Sequence, residues 1–380
     1  MAKKWRLVVG RTNVAKWYGG WGISGIRAMN EGKIPDTISV FYIDEPGVFI
    51  QRYCDVFMDV NYEECKKLNI PIARGIAAGG GVIYAEPGIE PFISLLWNPK
   101  RNPQIPTQPE LFFMKMLGRA ADVISEKYKI PLRFRPLNDM EIWDPNLKAW
   151  RKVMGTGTST VGECAVFAWF PTFFRPSGVM GRVLVSPRDK FSDKVFREVS
   201  LRSWSFEEAG AFKKEDKPSR NKIVNDWINL SLKVFRETLN IEVELGELSK
   251  EEISYAKETY SKLSSEEHLF ARSAEKKFSE IPEGTSLGKF FVKVIGGPLI
   301  RVYVLRRGNL IEDLMFTGTM HMYPADALEE LEKELKGCKI DEALIRSKVE
   351  KFFARRSVSI GLGSPELIAE AIIKACKESY

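Results

Sequence analysis

Arg74-Gly75-Ile76-Ala77-Ala78-Gly79-Gly80-Gly81-Val82-Ile83-Tyr84 runs from a basic residue through three consecutive glycines into an apolar segment. Three glycines leave backbone N–H groups unshielded, so a phosphate can approach closely, and glycine tolerates the positive φ that such turns need. Taken alone, the run also suits a tight turn. Further along stand Asn138-Asp139 and then Lys152-Val153-Met154-Gly155-Thr156-Gly157. A lysine adds mobile positive charge to the glycine cradle, and the carboxylate of Asp139 is a hard oxygen donor of the kind Mg2+ prefers. Read singly, Arg74 also suits a salt-bridge partner, Asp139 a turn former beside Asn138, and Lys152 a solvated lysine at a strand edge.

The surroundings of these motifs read as short strands and helices. Ile38 to Tyr42 and Val48 to Ile50 flank the turn Asp44-Glu45-Pro46-Gly47, which predicts a hairpin. Pro91 to Trp97 reads as a strand. A helix is expected from near Glu110, with Leu111, Met114, Leu117, Ala121 and Ile124 at helical spacing. Strands are expected on either side of Asn138-Asp139, and Trp150, Lys152 and Met154 alternate on a further one, which would place Lys152 with its neighbours on one face. Cys164 to Phe174 and Val183 to Val185 read as apolar strands, and a helix is expected around Ile223, Trp227, Leu230 and Val234.

The charged stretch from Glu251 to Lys276 reads as a connector, and residues 281 to 288 as a linker by composition. Beyond it, Phe290 to Ile295 and Ile300 to Leu305 are strand-like. Asp326, Asp341 and Ser364-Pro365 are placed to begin helices.

With 380 residues, 44% of them apolar and 28% charged, the chain is expected to be an ordinary globular protein of two domains, of α/β or α+β class. The net charge of +7 is spread among 50 acidic residues, which argues for a modestly basic surface and against a nucleic-acid partner. The densest cluster, Arg346, Lys348, Lys351, Arg355 and Arg356, alternates with Val349, Phe352 and Phe353 like the polar face of an amphipathic helix. Five cysteines without Cys-x-x-Cys spacing fit a reducing compartment. No stretch reads as a signal peptide or membrane span, so a cytoplasmic protein with no membrane partner is expected. Two distant histidines, His268 and His321, argue against a metal hydrolase, and the glycine run lacks the spacing of a dinucleotide fold.

The glycine loop, the Asn-Asp pair and the Lys-x-x-Gly motif stand in the order found in the lipoate-protein ligase family, whose pattern resembles Arg-Arg-x-Ser-Gly-Gly-Gly-x-Val-Tyr, Asn-Asp and Lys-x-x-Gly-x-Ala. The resemblance extends upstream to Pro35 through Tyr42, Arg52, Val60 through Cys65 and Ile70 through Arg74. It reappears in Lys293 through Ile300, Arg307-Gly308, Ile311, Phe316-Thr317-Gly318 and Leu328 through Leu331, which look like the family's small accessory domain. Ile76 stands where the pattern has its nucleotide-contacting arginine, Ala78 where it has serine, Ala85-Glu86 where a His-Asp pair often follows, and Gly157 where it has alanine.

The resemblance implies a mixed-sheet catalytic domain of the lipoate and biotin ligase type over residues 1–280 and a smaller α+β domain over 285–380. It implies ATP-dependent activation of lipoate to lipoyl-AMP, then transfer to a lysine of a lipoyl acceptor, such as a 2-oxoacid dehydrogenase subunit or a glycine-cleavage H protein. Lys152 would be the catalytic residue. Arg74, Gly79, Gly80, Gly81, Val82, Ile83, Tyr84, Gly155 and Gly157 would contact nucleotide and acyl group, and Asp139 would help place Mg2+. One rival is a transferase of the same superfamily using a cysteine thiolate, for which Cys164 is the candidate, although its apolar flanks suit a buried inert thiol. Another is a noncatalytic binder of lipoate or nucleotide, suggested by Ile76, Ala78 and Ala85.

Overall fold

The computed structural model describes residues 3–16, 22–87, 91–185, 202–212 and 218–378. With strands numbered along the chain, eight form the larger sheet in the spatial order β12 (Ile241–Leu245), β1 (Lys3–Thr12), β2 (Thr37–Ile43), β7 (Phe92–Trp97), β11 (Cys164–Pro171), β10 (Ala149–Val161), β9 (Asp139–Asp144) and β8 (Leu132–Arg135). β1 runs parallel to β2 and β12, and the remaining pairs are antiparallel, so the sheet is mixed as expected.

The helices Pro109–Tyr128 and Arg220–Leu239 cover one face of this sheet. Their anchors are aromatic. Trp97 stacks on Phe112 at 5.3 Å between centroids, and Trp169 lies 5.5 Å from Trp227. All four rings are buried, and truncating one such side chain to alanine typically costs about 3–5 kcal/mol. The first helix buries Phe112, Phe113, Met116 and Leu117, while Leu111 and Met114 are 50% and 62% exposed. The expected apolar stripe is thus out of phase at the start of this helix, because the adjacent phenylalanines have more area to remove from water than the leucine and methionine beside them.

The expected hairpin does not form. Both edges of β2 are taken by β1 and β7, so β3 (Gly47–Ile50) leaves for a second sheet, between β4 (Ile72–Arg74) and β6 (Val82–Ala85). That sheet fixes both ends of the glycine loop, which leaves β4 at Arg74 and enters β6 at Val82. Val183 ends the short helix Val179–Val183 instead of starting a strand, and Leu184 makes one isolated bridge to Val60.

The charged stretch after residue 250 is not a free connector either. Helix Lys250–Leu263 opens on a capping box of Ser249 and Glu252, and Glu252 takes two 2.8 Å hydrogen bonds from Arg6. Its far end is buried, with Leu263 in a cluster that includes Ile23, Ile26 and Leu96. The carboxylate therefore ties this helix to the first strand.

Strand β13 (Thr285–Lys293) begins inside the expected linker and pairs with β14 (Leu299–Arg307), then β15 (Leu310–Tyr323) and β16 (Ser359–Ile360). Helices Ala327–Leu335, Glu342–Arg356 and Pro365–Lys377 accompany this sheet. Asp341 and Ser364 cap the last two by accepting from the N–H groups of Leu344 and Leu367. Asp326 stands at the first helix's start but its side chain makes no capping bond there. In the basic stripe, Arg355 and Arg356 pair with Glu334 and Glu330 on the neighbouring helix, as a solvated face would.

The core of this C-terminal module also encloses Tyr53 and Ala78 from the rest of the chain. Arg52 and Arg272 both pair with Glu329, and Arg272 also with Glu332, at 2.6–2.9 Å. Among the described residues no helix is long and apolar enough to cross a membrane.

Candidate active site

Strand β5, Gly79–Gly80, joins the C-terminal module's sheet by pairing with Met320 and His321 of β15. Ala78 just before it is clamped from two sides. Its N–H donates to Ser159 Oγ of β10 at 3.1 Å, and its carbonyl accepts from Met322 N at 3.0 Å. Ser159 Oγ in turn donates to the Met322 carbonyl at 3.2 Å. Ala78 is 1% exposed in an apolar cluster, which accounts for a methyl group where the pattern carries a hydroxyl. Gly80 has φ +115°, a conformation that favours glycine.

The lysine strand passes close under this loop. A Cβ on Gly157 would lie 2.7 Å from the Gly79 carbonyl oxygen, and one on Gly155 would enter the ring of Phe170. Glycine at position 157 is thus what lets β10 and the loop meet. Gly157→Ala is expected to push the loop aside and to reduce acyl activation by about tenfold to a hundredfold, the scale of a misplacement near 1 Å. Steady-state activation with a parallel melting curve checks this, and parent-like activity in the folded variant would contradict it.

Lys152 sits at a bulge. It pairs with Glu141 of β9, but Met154 pairs with Met140, so Val153 has no partner of its own across the strands. Val153 and Met154 both enter the core, and the simple alternation expected for Trp150, Lys152 and Met154 is broken. The main chain of Lys152 is held on its other side too, its carbonyl accepting from Trp204 N at 2.8 Å. Its Nζ lies 2.8 Å from Asp139 Oδ1, while Arg202 reaches Asp139 Oδ2 at 2.7 Å and Arg135 approaches it at 3.5 Å. Asn138 locks the pair to the same strand, donating to the Thr156 carbonyl at 2.8 Å and accepting from Thr156 Oγ1 at 2.7 Å.

These elements enclose a cavity of about 300 Å³. Gly79, Gly80, Gly81, Val82, Ile83, Tyr84, Asp139, Lys152, Gly155 and Gly157 all line it. The motifs separated in sequence therefore border one cavity. Arg202, Lys293 and His321 line it as well, none of which was singled out as a site residue from sequence. The ammonium of Lys293 donates to the Val294 and Gly297 carbonyls at 2.9 and 2.6 Å, closing the Gly296-Gly297 turn.

Of the residues expected to contact nucleotide and acyl group, Arg74 alone is placed elsewhere. It is 2% exposed, and its guanidinium donates to the Cys54, Arg52 and Leu269 carbonyls at 2.6, 3.0 and 2.6 Å. Burial pulls its pKa down to about 10. It borders a second cavity with Gly75, Arg52, Arg272, Glu329 and Glu332. Its backbone bonds give it the work of joining two segments of chain, in place of the nucleotide contact expected of it.

Ile76 packs toward an apolar cluster with Leu96 and Cys164, so it supplies no charge to replace the pattern's arginine. Ala85 is fully buried, and Glu86 accepts from Tyr84 Oη and Ser177 Oγ, each at 2.6 Å. Burial and the adjacent Glu86 push the Tyr84 phenol up. Asp139, with both carboxylate oxygens ion-paired, is placed as a counter-ion to Lys152 and Arg202. A metal held by Asp139 would share oxygens that Lys152 and Arg202 already engage. Among the described residues no group of three or more His, Cys, Asp or Glu is placed to hold a metal ion.

No protein-family model matches the sequence, and no curated protein matches it. Solved structures do match in shape. Plasmodium falciparum LipL1, solved in complex with lipoate, superposes with a TM-score of 0.67 at 12% identity, over 98% of this chain and 99% of that one. A bipartite lipoate-protein ligase from Thermoplasma acidophilum gives 0.53 at 18% identity, over 72% of this chain and 98% of its own. The chain has the lipoate-protein ligase fold. Lipoate-protein ligase A, solved bound with ATP, gives 0.52 at 18% identity over 71% and 99% of the two chains. At these identities the likeness to lipoate-protein ligases is one of architecture, and the chemistry rests on the cavity's own residues.

Proposed function

We propose that this protein is an ATP-dependent lipoate-protein ligase, with residues 1–280 as its catalytic unit and 285–380 as its accessory unit. The observation that carries this reading is the convergence of the glycine loop, Lys152 and the Asn138-Asp139 pair on one cavity. Attack of a carboxylate on the α-phosphate brings two anions together. The Lys152 ammonium, held by Asp139 and flanked by Arg202, offsets their repulsion and stabilises charge as it moves to the leaving pyrophosphate. The glycine loop, without side chains, would let the nucleotide come close to its backbone, and the apolar walls suit an acyl chain. A lysine amine of a lipoyl acceptor domain then attacks the mixed anhydride, forming the amide and releasing AMP. Mg2+ would enter with the nucleotide phosphates, its usual partners, and supply additional positive charge there. Lipoate, ATP and a lipoyl domain appear with the structural neighbours, one with each of three, which supports the same assignment by likeness. Mixing the protein with ATP, lipoate and a lipoyl domain, then weighing the acceptor, tests it: lipoylated lysine supports the proposal and an unmodified acceptor opposes it.

The cysteine-transferase reading fares less well. Cys164 is fully buried, lies off the cavity lining and has its thiol pushed up by burial, away from the reactive thiolate. Cys164→Ala is expected to leave lipoyl transfer within about twofold of the parent, since it removes no cavity contact. Loss of transfer in the folded variant, with a thioester trapped in the parent, would favour the transferase instead.

A further inference from the structure

His321 comes from the C-terminal module yet lines the cavity, 5% exposed, between the glycine loop and the lysine strand. Its Nδ1 lies 3.3 Å from the Thr158 carbonyl, and its ring meets Phe113 edge-on at 5.1 Å. A carbonyl only accepts, so the proton is on Nδ1 and Nε2 carries a bare lone pair. Nε2 borders Gly80: a Cβ there would sit 3.2 Å from it, so only glycine leaves that nitrogen uncovered.

We propose that His321 is a recognition residue for the nucleotide, its Nε2 accepting a hydrogen bond from a ribose hydroxyl or the adenine amino group. The proposal rests on the ligase reading above. It divides the cavity by polarity, with the cations Lys152, Arg202 and Lys293 for the anionic groups, and a neutral acceptor at the glycine loop for a donor. A phosphate oxygen has no proton to give and would be repelled from a lone pair. Burial supports the assignment by pulling the imidazole pKa down to about 4, so the ring stays neutral at working pH.

The test is ATP binding to the whole protein by calorimetry, with ATP, 2′-deoxy-ATP, 3′-deoxy-ATP and a purine triphosphate lacking the 6-amino group. Two variants accompany the parent. His321→Asn keeps a donor near Nδ1 and loses the acceptor, while His321→Gln can return an acceptor near Nε2. The parent is expected to bind one analogue about three- to tenfold more weakly than ATP, the scale of one hydrogen bond. His321→Asn should bind ATP as weakly as the parent binds that analogue, and lose nothing further on the analogue itself. His321→Gln should regain part of the affinity. Which analogue shows the coupling identifies the donor. Equal losses for every nucleotide, or parent-like binding by folded His321→Asn, would overturn the proposal. Failure of the parent to bind ATP at all would overturn the ligase reading as well, so the two failures are distinguishable.

Discussion

Replacing Lys152 by alanine is expected to abolish acyl-adenylate formation, a loss on the order of a hundredfold or more, as for removal of a strong electrostatic contact in a water-poor site. The fold should survive. The backbone of Lys152 is fixed through Glu141 and Trp204, and none of those bonds needs the side chain. Alanine would leave Asp139 with Arg202 and Arg135, so its charge stays paired. What disappears is the cation beside the glycine loop. Pyrophosphate exchange on a variant with a parent-like melting curve measures this, and near-normal exchange would remove Lys152 from the chemistry.

The second large effect concerns the C-terminal module. A chain ending near residue 280 is expected to lose acyl activation almost entirely while still transferring from supplied lipoyl-adenylate. Truncation removes β15, the strand partner of Gly79–Gly80, together with Lys293 and His321 from the cavity wall. It also uncovers Tyr53 and Ala78 and leaves Arg52 and Arg272 without Glu329 and Glu332. Should the fragment not fold, Ser159→Ala in the whole chain reads the same dependence, because it cuts the hydroxyl link between Ala78 and Met322. A drop of about tenfold is expected there, the worth of a buried hydrogen-bonded clamp. Full activation by a folded fragment, or by the serine variant, would contradict the coupling.

The residues of the cavity could be picked out because the order of the glycine loop, the Asn-Asp pair and the Lys-x-x-Gly motif resembles a known family's, although each motif read singly also suits a turn or a solvated side chain. Gly79 to Tyr84, Asp139, Lys152, Gly155 and Gly157 could be named from the chain, and all face the cavity. Helix caps at Asp341 and Ser364 were legible for a different reason, since a cap bonds within its own first turn. What stayed hidden depends on partners distant in sequence. The hairpin reading at Asp44 to Gly47 failed because both edges of β2 are occupied by strands the turn gives no hint of. The family pattern drew Arg74 toward the nucleotide, whereas carbonyls near residues 54 and 269 claim its guanidinium. The bulge at Val153 has no residue signature, since its position is set by the pairing with β9. His321 was one of only two histidines and was passed over for lack of neighbouring ligands. Its neighbours are a carbonyl and a glycine loop, neither of which marks a histidine in sequence.

The central claim is that Lys152 and the glycine loop join an acid to AMP. Acid-dependent exchange of labelled pyrophosphate into ATP, with lipoate, octanoate and biotin compared side by side, measures that step with no acceptor protein present. Exchange is expected to require an acid, to be strongest with lipoate and to disappear in Lys152→Ala. Absence of acid-dependent exchange in the folded parent protein, or exchange that persists unchanged without Lys152, would contradict it.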